Sequence, residues 1–190
     1  MSSVLQRLEA LLREQGGLMA SLLSAQPTLA NGHGPAQVVA AGPRVGAEAA
    51  AYELLVEAIY EGYLLHYGCS RLLCPPEADL GLLAGDQLYA LGLARLVAMG
   101  DLVAVAELAD VITLTALAHG AGDGELAAAI WDAGARAVGW GPSAELEQAK
   151  ALARAGAPEA LQAMRSVVAA AADTGEEGRL RSRSTPNRYP

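Results

Sequence analysis

Three glutamates, Glu53, Glu57 and Glu61, have the spacing best suited to chemistry. At i, i+4 and i+8 they put three carboxylates on one face of any helix drawn through them. Such a row can hold a hard divalent cation such as Mg²⁺, which takes oxygen ligands. It can equally be a solvated helix face, or meet basic side chains of a partner. Like charges at this spacing disfavour a helix by only about 0.2–0.5 kcal/mol per pair, which a packed opposite face tolerates.

The remaining reactive side chains form weaker patterns. His66 follows Tyr63 and precedes Tyr67, which reads either as a small polar site or as a helix-end cap within an aromatic cluster. His33 and His119 have no metal-ligand neighbour at i+3 or i+4, so no zinc-binding helix is indicated. Cys69 and Cys74 are not spaced as CxxC, and no further Cys/His set completes a zinc site. They read as two buried or partly buried thiols in a reducing compartment. Ser70, Ser143 and Ser166 lack the strand–turn–helix setting of a nucleophile elbow. Gly120, Gly122 and Gly124 do not follow a predicted strand, so they imply no dinucleotide loop.

The elements that must position these residues read as helices. Apolar residues at Val4, Leu5, Leu8, Leu11, Leu12 and Leu18 predict an N-terminal helix within 1–25, weakened at Gly16-Gly17. Residues 26–46 are rich in Pro and Gly and read as a linker, with room for one helical turn near Ala36. A bundle is expected over 47–172. Its first helix ends at Gly68, and Pro75-Pro76 prevents helix continuation. The next, about 77–99, is apolar on nearly all sides, which predicts a central helix or one at a subunit interface. Gly81, Gly85 and Gly92 on it would permit close approach of a neighbour. Asp101 and Ser143 read as N-caps of following helices, and Pro158 as a helix start. From Asp173 to Pro190 there is no apolar periodicity, which predicts a disordered tail.

Composition agrees with an all-α fold of about 6–8 helices. The chain has 190 residues, 53% hydrophobic, only 4% aromatic and with no Phe. Much of the apolar content is Ala and Leu, strong helix formers. A net charge of −8 argues against nucleic-acid binding, which needs clustered Lys and Arg. One lysine, Lys150, stands against twelve arginines and reads as composition bias. The N-terminus lacks a basic n-region and a continuous apolar core, and no stretch of about 18 uncharged apolar residues occurs. No transmembrane segment is expected, and the chain reads as cytoplasmic.

One block carries a resemblance. Residues 82–100, LLAGDQLYALGLARLVAMG, continue into DLVAVAELADVITLTALAHGAGD. Gly85-Asp86 and Gly100-Asp101 reproduce the two "GD" starts found in the middle of all-trans polyprenyl diphosphate synthases, which this chain resembles over about 49–123. The resemblance implies an isoprenoid-synthase-like bundle and puts the first Asp-rich metal motif where Glu53, Glu57 and Glu61 stand. No Asp-Asp pair occurs in the chain. The pattern is therefore most similar to non-catalytic components, such as that of two-component heptaprenyl diphosphate synthases.

That resemblance implies no catalytic residue, no cofactor, and a catalytic polyprenyl diphosphate synthase subunit as partner. Leu83, Asp86, Leu88, Tyr89, Leu91, Gly92 and Leu96 would line a prenyl-chain tunnel or a subunit interface. Two other readings stay open. One is a helical scaffold or homodimer without prenyl chemistry. The other is a divergent synthase binding Mg²⁺ through Glu53, Glu57 and Glu61.

Overall fold

The computed structural model describes residues 3–27 and 34–170. Among these, regular structure is helical apart from one isolated bridge between Leu23 and Leu73, as the all-α expectation required. The helices are α1 (Val4–Gln15), α2 (Gly17–Ser21), α3 (Pro35–Ala40), α4 (Ala49–Tyr67), α5 (Ala78–Ala98), α6 (Leu102–Gly120), α7 (Gly124–Trp140) and α8 (Ala144–Arg154). A 3-10 turn, Gly46–Glu48, leads into α4, and a last helix, α9, covers 160–170. The tail expected over 173–190 and His33 lie outside the described residues.

Local chemistry sets the boundaries. Ser3 Oγ accepts from the Gln6 amide and Gln6 Oε1 accepts from the Ser3 amide, a reciprocal cap that starts α1. Gly16 and Gly17 both have positive φ, 69° and 62°, which divides α1 from α2. Asp101, Asp123 and Ser143 each accept a hydrogen bond from the amide three residues on, starting α6, α7 and α8. Pro158 lies in a turn two residues before α9 rather than at its first position.

α4 is the central helix. It packs against α5, α3 and α1, while α6 packs against α7 and α3 also meets α7. Absent side chains set the closest approaches. A Cβ on Gly85 would lie 2.7 Å from the His66 ring and 3.0 Å from the Gly62 carbonyl; one on Gly92 would lie 2.4 Å from Ile59 Cγ1. α4 and α5 therefore meet through glycine. α6 and α7 do the same at Gly134, where a Cβ would fall 2.1 Å from Val111 Cγ2.

Of the two places expected for α5, central or at a subunit interface, it does not take the central one, which belongs to α4. It buries Gly81, Ala84, Gly85, Leu88, Gly92 and Leu96, and leaves Leu82, Leu83 and Val97 exposed. The glycines choose the inward face, because only that face lets another backbone come close. The apolar interior falls into two clusters. The larger joins α3, α4, α6, α7 and α8 through residues such as Val39, Ile59, Leu108 and Trp131. The smaller seats Leu5, Leu8, Leu12 and Met19 of α1 and α2 on Ala58, Leu72, Ala84 and Leu88.

Candidate functional site

The glutamate row does lie on one side of α4, but only Glu53 keeps partial contact with solvent. Glu57 is 1% exposed and Glu61 0%. Arg71, in the loop after α4, returns to both. Its Nε donates to Glu61 Oε1 at 2.6 Å, its backbone amide donates to Glu61 Oε2 at 3.0 Å, and its guanidinium pairs with Glu57. Ser70 Oγ also donates to Glu61, at 2.5 Å, and in turn accepts from the amides of Leu72 and Leu73. The guanidinium carbon lies 5.3 Å from the Tyr60 ring centroid. Glu53, one turn earlier, pairs with Arg7 of α1.

Burial dominates the electrostatics of this cluster. It raises the Glu57 carboxyl above its ordinary value, against the opposing pull of Arg71. At Arg71 burial acts the other way, yet the attraction of Glu57 and Glu61 prevails and the guanidinium is held more firmly protonated. The row therefore suits Mg²⁺ poorly: an arginine already engages at least one oxygen of each of the three carboxylates. Among the described residues no three His, Cys, Asp or Glu side chains are placed to hold a metal.

Beside this cluster, the end of α4 gathers most of the aromatic side chains of an aromatic-poor chain. Tyr60 stacks on Tyr63 at 5.7 Å, and Trp131 of α7 meets both rings edge-on. Tyr67 stacks on His119 of α6 at 4.2 Å, and His66 stacks on Tyr89 of α5 at 5.2 Å. Tyr63 Oη and His119 Nε2 are hydrogen-bonded at 2.9 Å. His66 Nε2 lies 3.2 Å from Asp86 Oδ1, close enough for an ion pair but not aligned as a hydrogen bond. Burial raises the hydroxyl pKa values of Tyr60, Tyr63 and Tyr89. Among the described residues no Ser, Thr or Cys nucleophile hydrogen-bonds to His66 or His119. The arrangement binds four helices together; it lacks the nucleophile–base pairing of a hydrolase.

The remaining expected residues divide. Leu88, Gly92 and Leu96 face α4 and are buried, Tyr89 and Leu91 are half-buried, and Asp86 and Leu83 point outward. They do not share one surface. Cys69 and Cys74 are free and exposed rather than buried, because the loop between α4 and α5 runs over the outside of the bundle. Asp101, of the second Gly-Asp pair, is a structural hub. It starts α6, pairs with Arg44 and accepts from Tyr52 Oη. The Arg44 hydrogen bond is the largest influence holding its carboxyl below the usual carboxylate range. Burial pushes the Tyr52 hydroxyl up to about 12.

The chain matches no known family model, curated protein or solved structure.

Lys150 is the residue that sequence reasoning valued least correctly. It is buried on α8 and reaches Glu107 at 2.8 Å and Asp110 at 3.0 Å on α6, with Glu147 at 2.7 Å on its own helix. Burial lowers its pKa, but these three carboxylates outweigh it and raise the net value. It ties α8 to α6. Its inward position could have been read from helical spacing with Leu146 and Ala153, which are buried on the same helix. Arg71 had one signal, as the sole lysine or arginine between the glutamate row and α5.

Proposed function

We propose that this chain is a non-catalytic helical subunit that docks on a partner through the outer faces of α5 and α6. The observation that carries the reading is where exposed apolar bulk lies. Of ten large hydrophobic side chains exposed among the described residues, seven belong to α5, α6 and the turn between them: Leu82, Leu83, Val97, Met99, Leu102, Val103 and Leu117. Leu102 is 66% exposed and Leu83 58%. The outward positions of α6 add Ala106, Ala109, Thr113 and Ala116, and no charged side chain. Asp79, Asp86 and Arg95 are the exposed charges of α5, so the uncharged part of the surface is the outer face of α6; exposed apolar bulk of this kind marks an interaction site.

The class of partner rests on the resemblance of residues 49–123, which points to a catalytic polyprenyl diphosphate synthase. Two features support a non-catalytic role beside such a partner. Arginines engage the carboxylates that would have to grip magnesium. Among the described residues His66 and His119 stack on tyrosines, and neither hydrogen-bonds to a Ser, Thr or Cys. A synthase reading through Glu53, Glu57 and Glu61 is weaker for the same reason. α5 and α6 are also long and apolar enough, by length and composition alone, to cross a membrane. α5 carries Asp79, Asp86 and Arg95, and α6 carries Glu107 and Asp110, which favours a protein partner over lipid.

Co-expression with a synthase bearing both Asp-rich motifs tests this. The two chains are expected to co-elute in size exclusion and to yield a product length different from that of the synthase alone. Leu83→Asp with Leu117→Asp is expected to abolish co-elution. Separate elution with unchanged product length overturns the reading. A homodimer in the absence of a synthase would favour the scaffold reading instead.

A further inference from the structure

A groove of about 610 Å³ opens between α7, α8 and α9. That falls inside the range of small-molecule sites, roughly 300–1,000 Å³. Its walls are Ala133 and Ala137 of α7, Ala149 and Leu152 of α8, and Ala163 and Val167 of α9. Alanine at four of these six positions leaves open what larger side chains would have filled.

Among the described residues the rim supplies one cation. Arg136 stands beside the exposed Trp140, with its guanidinium carbon 5.6 Å from the ring centroid. That contact uses the face of the ring and none of the guanidinium's N–H donors. Among the described residues Arg136 has no ion pair and no hydrogen bond. The other cations on these helices are engaged: Lys150 and Arg154 by the acids of α6 and α8, and Arg165 by Glu125. Glu145, the one carboxylate on the rim among the described residues, is exposed at the start of α8, where its own amide and Ser143 lower its pKa. Asp132, one turn before Arg136, lines an adjoining recess with Glu125 and Arg165; the charge of Arg136 acts on its carboxyl, but the two form no hydrogen bond or ion pair.

We propose that this groove binds a single-chain amphipathic anion. The apolar chain lies along the alanine walls, and a terminal carboxylate or phosphate takes the free in-plane donors of Arg136. This site is independent of the docking face on α5 and α6.

Trp140 makes the test direct. The full-length protein is titrated with dodecanoate, dodecyl phosphate and the uncharged methyl ester of dodecanoate, each below its aggregation concentration. A saturable change in tryptophan emission is expected with both anions, and binding of the ester at least tenfold weaker. Arg136→Gln should reduce the affinity for both anions to that of the ester. Ala163→Phe, which fills the groove, should abolish binding; Arg136→Gln carries the test if that variant does not fold. A stronger response to one anion than to the other identifies the head group. No saturable signal, equal binding of anion and ester, or unchanged binding by Arg136→Gln overturns the proposal. A synthetic peptide of residues 171–190 that displaced dodecanoate would make the chain's own terminus the occupant, and would also overturn it.

Discussion

Arg71 and Arg44 each fasten a loop to the bundle, but they do so in opposite surroundings. Arg71 reaches two glutamates that water does not touch, and burial raises Glu57. Arg44 meets one aspartate at the open start of α6, where its hydrogen bonds lower Asp101. The ingredients are the same, an arginine, a carboxylate and a tyrosine. Burial prevails at Glu57, whereas hydrogen bonds prevail over burial at Asp101. A buried pair contributes little net stability yet costs much to break. The half-open pair contributes modestly and is cheap to lose.

The largest effect expected from this contrast is at Arg71. Arg71→Ala leaves Glu57 and Glu61 buried without their cation, and should cost about 3–5 kcal/mol in denaturant unfolding at neutral pH. Asp101→Ala should cost less, about 1–2 kcal/mol, the range for losing a helix cap. If Asp101→Ala proves the more damaging, the contrast is wrong.

Acid should separate the two clusters by sign. The Glu57 carboxyl is raised in the fold, so its charged form costs stability at neutral pH. That cost is relieved as pH falls through the raised value towards the ordinary one, about 4.3. The Asp101 carboxyl is lowered, so its stabilisation is complete above the ordinary value of about 3.9 and is lost as pH falls below it. Glu57→Gln should therefore flatten the stability profile between neutrality and about pH 4.3, and Asp101→Asn should flatten it below about pH 3.9. Exchanged profiles would reverse the assignment.

Salt sharpens the contrast with the smallest signal. Raising ionic strength to about 1 M shortens the screening length to about 3 Å. It should shrink the penalty of Asp101→Asn by a few tenths of a kcal/mol and leave the larger penalty of Arg71→Ala unchanged within error.

Much of this architecture could be read in advance. Gly85 and Gly92 marked a close approach, because glycine inside a helix is costly unless a neighbour needs the space. Asp101 and Ser143 announced helix starts, because their side-chain oxygens suit free amides there. The fate of the glutamates was hidden. Their spacing showed a shared face but not which way it turned, and apolar residues surround α4 on other sides too. Arg71 is ten residues beyond Glu61; it stood out as the one Lys or Arg between the glutamate row and α5, but nothing in the sequence shows that its loop turns back. Tyr63 and Tyr67 were visible as neighbours of His66 on α4; Trp131 and His119 arrive from α7 and α6, and only tertiary packing brings them there.

The bridge between Leu23 and Leu73 ties the end of the α1–α2 segment to the loop that carries Arg71. The Ser24 amide donates to the Leu72 carbonyl at 2.8 Å, and the Cys74 amide to the Leu22 carbonyl at 2.9 Å. Loss of α1 and α2 would therefore uncover Leu72 and Leu88 and remove the backbone support of the loop that carries Arg71.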